Sequence, residues 1–146
     1  MNIERSPSFS GIIRFASMAD SGSVGRLYVE AGWLTAAEAR PEAITRMIEG
    51  SICFLAAFVG NDAVGMGRAI GDGVSDAYIQ DVFVSPACRH LGVASRIIES
   101  IVEHLERSGV SWIGLVAEPG TAGLYETLGF VPLAGHQAMI LKRKKG

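Results

Sequence analysis

The sequence predicts an α/β fold: a mixed, mostly antiparallel central sheet flanked by helices, with elements in the order β-α-α-β-β-β-α-β-α-β. Three observations carry that prediction. Apolar runs of strand length, separated by Gly-rich turns, fill the middle of the chain at Ser51–Val59, Ala63–Ile70 and Ala77–Val84. A long segment then places Val93, Ile97, Ile98, Ile101, Val102 and Leu105 on one helical face, until Gly109 stops it. Beyond it comes Ser111–Ala117, so an antiparallel run is followed by a strand–helix–strand crossover.

Taken in order, Ile12-Ile13-Arg14-Phe15 reads as the first strand. Asp20 and Ser21 are cap residues for a helix carrying Val24, Leu27, Tyr28 and Ala31, which ends near Gly32-Trp33. Thr35 reads as the cap of a second helix through Ile44, Met47 and Ile48, with Pro41 in its first turn. These helices beside Trp33 fit a substrate cleft or a plain cover for the sheet. Gly60-Asn61-Asp62 closes a hairpin whose return strand carries Gly65 and Gly67, two apart and therefore on one face. Gly71-Asp72-Gly73 turns the chain into Ala77–Val84, and Ser111–Ala117 has the look of a buried strand. A short helix over Thr121–Leu128 follows Pro119-Gly120, and Met139-Ile140-Leu141 reads as a final short strand.

With 146 residues the chain has the size of a single domain, 1–146. It is 49% hydrophobic and carries 13 basic against 15 acidic side chains, a globular balance that argues against nucleic-acid binding and disorder. No apolar run has the length of a membrane span, and Met1-Asn2-Ile3-Glu4-Arg5 lacks a signal-peptide core. Cys53 and Cys88 make no disulfide framework, which with the preceding points suggests a cytoplasmic protein. Lys142-Arg143-Lys144-Lys145 reads as a solvated tail.

The stretch from Gln80 to Ser95 carries the chemistry. It runs from an apolar strand through a loop marked by Pro86 and Gly92 into the long helix. A small-residue loop at a helix start points free N–H groups outward, and the helix dipole adds to their pull on an anion such as phosphate. The loop departs from Walker A, having no Gly-Lys-[Ser/Thr], and from the Rossmann fingerprint, because Arg89 and Ala94 stand where glycines would. Its plain alternative is an ordinary strand-to-helix connection with a packing glycine.

Arg89-x-x-Gly92-x-Ala94 fits [Gln/Arg]-x-x-Gly-x-[Gly/Ala], which resembles the pyrophosphate loop of the GNAT N-acetyltransferases. Leu124-Tyr125-Glu126-Thr127-Leu128-Gly129-Phe130 is similar to that family's Phe-Tyr-x-x-x-Gly-Phe segment. The run Val64–Val82 is similar to small bacterial members usually described as aralkylamine-acetyltransferase-like. The resemblance covers essentially the whole chain and implies acetyl-CoA as co-substrate, with no metal. It assigns pantetheine contacts to the backbone of Val82 and Val84, with Phe83 between them. The pyrophosphate cradle falls to Arg89, His90, Leu91, Gly92, Val93, Ala94 and Ser95. The family commonly has Gly at position 90 and a basic or polar residue at 91, so any cationic help here comes from Arg89, Arg96 or a protonated His90.

Amine attack on a thioester sets three tasks. An ammonium with pKa roughly 10.4 must lose its proton, the oxyanion needs a donor, and the departing thiolate needs a proton. The resemblance puts the general acid at Tyr125, and an N–H near Phe83 or Val84 suits the oxyanion. Asp81 is the candidate base or ammonium anchor, with Glu30 and Glu118 behind it. If Val82 and Val84 share one face, Gln80 shares it and Asp81 takes the other, unless a bulge intervenes. Ser95 and Cys88 lack a nucleophile–base pairing and no cluster has metal-ligand spacing, so direct transfer in a ternary complex is expected. The acceptor would be a small-molecule or peptide amine, set by the region Trp33–Ile48, and a homodimer is compatible with this picture. A non-catalytic acyl-CoA sensor or an interaction module on the same fold are the alternatives.

Overall fold

Strands β1 (Ile12–Phe15), β2 (Cys53–Val59), β3 (Asp62–Gly71), β4 (Asp76–Val84) and β5 (Trp112–Leu115) form one sheet in the order β1-β2-β3-β4-β5. The first three pairings are antiparallel and β4–β5 is parallel, as a crossover requires. In this computed structural model residues 8–143 are described. The expectations for Met1–Arg5 and for Lys144 and Lys145 lie outside them. The chain divides into two compact units, the first ending at Leu115 and the second beginning at Val116.

In the first unit, helices α1 (Ser21–Glu30) and α2 (Pro41–Gly50) precede the hairpin, and α3 (Val93–Arg107) makes the crossover. Val24, Leu27, Tyr28, Ile44 and Ile48 bury against Phe54, Ala56, Phe58 and Met66 on one face of the sheet. The α3 stripe Val93, Ile97, Ile98, Ile101 and Leu105 is buried, Val102 only partly. At about 1.5–3 kcal/mol for each large aliphatic side chain, that stripe is a main source of stability. It lies close to the sheet because Gly65 and Gly67 present no side chain: a Cβ on Gly67 would come within 2.9 Å of Ile97 Cγ2 and 3.3 Å of Ile101 Cδ1. Gly67→Val is therefore expected to overpack this contact and cost about 1–3 kcal/mol, measured as a lowered Tm. An unchanged Tm would show that α3 can ride away from the sheet freely.

Several local expectations are corrected. Asp20 precedes α1 but its side chain does not cap it. The carboxylate instead takes Arg14 at 2.8 and 3.0 Å and the Ser17 N–H at 2.8 Å, and the Arg14 guanidinium holds it below the usual carboxylate range. Thr35 caps only an isolated turn, exchanging hydrogen bonds with Glu38 at 3.1 and 3.2 Å. The second helix begins at Pro41, because the residue before a proline is driven extended and Arg40 sits at ψ 148°. β5 is a four-residue edge strand and not a buried one.

The second unit contains α4 (Ala122–Thr127) and, among the described residues, no strand. Met139, Ile140 and Leu141 do not form the expected final strand; they are 89%, 85% and 73% exposed. A strand needs a partner edge for its N–H and C=O groups, and this unit supplies none.

Candidate functional site

The site is built around a bulge in β4. Met66 pairs with Phe83 and Arg68 with Gln80, so Gly67 alone stands opposite both Asp81 and Val82. Asp81 takes up the extra residue in the left-handed region, φ 57°, a conformation that costs a non-glycine residue about 1–3 kcal/mol. The bulge puts Gln80 and Asp81 on the same face, that of Arg68 and α1. Val82 and Val84 point to α3, within 3.4 Å of where Cβ atoms on Gly67 and Gly65 would lie. Gln80 thus does not share the face of Val82, because the extra residue resets the alternation between them.

The Asp81 carboxylate is held by donors from two elements. Tyr28 Oη donates to Asp81 Oδ2 at 2.7 Å and Arg68 Nε to the same oxygen at 2.8 Å, with Arg68 15% and Asp81 22% exposed. Arg68 Nη1 also donates to Ser51 Oγ at 3.4 Å, and Ser51 Oγ donates to the Met47 carbonyl at 2.6 Å. Burial, then the charge on Asp81, pushes the Tyr28 phenol well above its ordinary value, so it stays a donor.

Beside Asp81 stands an aromatic wall, placed by the end of α1. Gly32, at φ 77°, donates to the Val29 carbonyl at 3.0 Å and Trp33 N–H to the Tyr28 carbonyl at 3.1 Å. That double closure is the Schellman motif, which brings the residue after the glycine back against the last full turn. Trp33 accordingly meets Tyr28 edge-on at 6.3 Å between centroids, and Phe83 of β4 at 5.9 Å. Close by, Ser85 Oγ donates to Glu30 Oε2 at 3.2 Å.

Past the bulge, β4 has a free edge. Its pairing with β5 ends at Ile79–Leu115, so residues 80–84 have no strand partner on that side among the described residues. Ser85 N–H bonds the Val64 carbonyl of β3 at 2.8 Å, so strand alternation turns the Val84 N–H and C=O to the free edge. The Val84 carbonyl there accepts Arg89 Nε at 2.9 Å. Arg89 is folded back on the strand end, its guanidinium carbon 5.6 Å from the Phe83 ring centre.

The loop after β4 makes one tight turn at Pro86–Cys88 and reaches α3 through His90 at φ 63° and Gly92 at φ 79°. His90 is exposed and Leu91 half-buried. Gly92 is the N-cap, and no side chain caps the helix, whose first intrahelical donor is Arg96 N–H to the Gly92 carbonyl at 3.1 Å. The N–H groups of Val93, Ala94 and Ser95 therefore lie ahead of the helix ladder. A Cβ on Gly92 would meet nothing within 4 Å, so the space beside the helix start at Gly92 is open.

In the second unit the Tyr125 segment repeats the cap of α1. Gly129, at φ 98°, donates to the Glu126 carbonyl at 3.1 Å and Phe130 N–H to the Tyr125 carbonyl at 3.1 Å. Phe130 packs edge-on against Tyr125 at 5.9 Å. Burial and, behind it, the charge of Glu118 raise the Tyr125 phenol, which keeps it protonated.

Sequence reading missed Arg68 and Tyr28 as members of this site. Tyr28-x-x-x-Gly32-Trp33 has the same spacing as Tyr125-x-x-x-Gly129-Phe130, a signal that could have found the first pair. Arg68 is the one charged residue in the run Ala63–Ile70. Among the described residues no group of three His, Cys, Asp or Glu could hold a metal, and no helix is long and apolar enough to cross a membrane.

A bulged strand with a free edge thus runs into a helix start whose free N–H groups carry partial positive charge. The chain belongs to the acetyltransferase (GNAT) family, whose model matches residues 23–130. It is 35% identical over 121 residues to serotonin N-acetyltransferase 2, chloroplastic, of Oryza sativa subsp. japonica, covering 80% of this chain and 59% of that protein. It is 39% identical over 83 residues to GCN5-related N-acetyltransferase 1, chloroplastic, of Arabidopsis thaliana, covering 56% of this chain and 42% of that protein. The chain thus matches only about half the length of these curated relatives. A solved GNAT-family structure from Xanthomonas campestris pv. campestris superposes with a TM-score of 0.73 at 25% identity, covering 94% of this chain and 96% of that one. Glucosamine-6-phosphate N-acetyltransferase of Arabidopsis thaliana shares the fold, with a TM-score of 0.76 at 14% identity, covering 92% of this chain and all of that one.

Proposed function

We propose that residues 1–146 act as one acetyl-CoA-dependent N-acetyltransferase domain, moving an acetyl group to a primary amine by direct attack in a ternary complex. The observation that carries this reading is the free edge of β4 leading into the uncapped N-terminus of α3. Backbone groups at Val82 and Val84 would pair with the amides of pantetheine, as an added strand pairs with an edge. The amides of Val93, Ala94 and Ser95, with the open space at Gly92, suit the pyrophosphate. His90 and Leu91 line the approach, and Arg89 contributes by bracing the strand end through the Val84 carbonyl.

The Val84 N–H is the better oxyanion donor, because Phe83 lies one step along the strand and turns its N–H toward β3. Asp81 anchors the incoming ammonium and takes its proton, with both of its recorded donors on Oδ2. Tyr125 returns a proton to the leaving thiolate, the role that its place in the Tyr-x-x-x-Gly-Phe segment suggests; burial and Glu118 keep the phenol protonated. The rings of Trp33 and Phe83 next to Asp81, backed by the buried Tyr28, suit an amine carrying an aromatic ring, in keeping with the name of the rice relative.

Calorimetry with acetyl-CoA and a panel of serotonin, tryptamine, tyramine, spermidine and a lysine peptide, followed by release of CoA thiol, tests the proposal. Binding with turnover of the aromatic amines is expected. Binding without turnover of any amine would favour a sensor, and absence of binding would remove the acetyl-CoA reading.

A further inference from the structure

We infer that Arg68 and Tyr28 are positioning residues that grip the Asp81 carboxylate by one oxygen at the bulge and leave the other for the acceptor amine. The inference rests on the reading of Asp81 given under Proposed function. Asp81 sits at φ 57°, a strained conformation that persists only if surrounding contacts over-determine it. Two donors meet that need, and both go to Oδ2: Tyr28 Oη at 2.7 Å from α1 and Arg68 Nε at 2.8 Å from β3. Among the described residues no hydrogen bond to Oδ1 is recorded.

The grip is itself braced. Arg68 is tied at its other end to Ser51 Oγ, which is fixed by the Met47 carbonyl, so the guanidinium is held at two points. Tyr28 is 2% exposed and carries the Trp33 ring against it. Glu30, at the end of α1, accepts from Ser85 Oγ and is not part of the grip. A carboxylate held this way has one direction in which it can meet an ammonium. A freely rotating Asp81 would supply the same chemistry in many wrong orientations.

The test is a mutant cycle in amine kinetics, with serotonin and the fastest amine of the panel as probes. Arg68→Met and Tyr28→Phe are each expected to lower kcat/KM for the amine by about tenfold to a hundredfold, the range for a hydrogen bond to a charged group. Acetyl-CoA affinity should stay within about twofold of wild type, since the cradle is untouched. Arg68→Lys should recover part of the loss. Added to Asp81→Asn, either change should cost nothing more, because both act through the carboxylate.

Multiplicative losses in the double variants would overturn the inference, as would an equal fall in acetyl-CoA affinity. If Arg68→Met does not fold, Tyr28→Phe carries the test, since it removes one hydroxyl and keeps the ring. An impaired Asp81→Asn beside wild-type kinetics in Arg68→Met and Tyr28→Phe would sink this inference alone. Wild-type kinetics in Asp81→Asn would sink the role of Asp81, and the grip with it.

Discussion

Tyr125→Phe is expected to fold normally, to bind acetyl-CoA with near-normal affinity and to lose about 10² or more in kcat, the scale of general acid catalysis. The substitution keeps the ring that Phe130 meets edge-on, and it leaves the backbone closure at Gly129 intact, so α4 has no reason to unwind. What disappears is a phenolic proton that burial and the nearby charge of Glu118 keep in place. The deficit should shrink for an acyl thioester whose thiol is more acidic, because a better leaving group needs less protonation. Full activity with acetyl-CoA would mean that water protonates the thiolate and that this tyrosine only packs.

Gly92→Val is expected to abolish acetyl-CoA binding at concentrations that saturate the wild-type protein. Gly92 stands at φ 79° immediately before the amides of Val93, Ala94 and Ser95, and open space lies where its Cβ would be. A branched side chain would occupy that space and also resist the left-handed conformation. The second effect costs about 1–2 kcal/mol, or more for a β-branched residue, so Tm should fall by several degrees without loss of the fold. Calorimetry alongside thermal melting separates the two. Normal binding in a folded Gly92→Val protein would move the anion site elsewhere.

The strands and helices were legible where burial follows a simple period. The α3 stripe has one heptad-like face, and Gly65 and Gly67 share a face two residues apart, so periodicity alone places them. Three things escaped it. Thr35 offered a good cap, yet Pro41 dictated where the helix could start, a steric rule outweighing a hydrogen-bonding one. Met139-Ile140-Leu141 has strand-like residues, but a strand is a relation between two segments and sequence shows only one. The grip on Asp81 was hidden because Tyr28, Arg68 and Asp81 come from separate elements, the first 53 residues from the last. A period of two already sets Asp81 opposite Val82 and Val84; what it cannot express is the bulge, which brings Gln80 to that same face.

The twin Tyr-x-x-x-Gly-aromatic ends of α1 and α4 have one further consequence. In each, the aromatic residue is located by two main-chain hydrogen bonds and a glycine, and not by the shape of its own ring. Location and identity are therefore separate variables at positions 33 and 130. Drift at either position would exchange one ring or aliphatic group for another at an unchanged address, so the side chain presented there can change without rebuilding the helix that presents it.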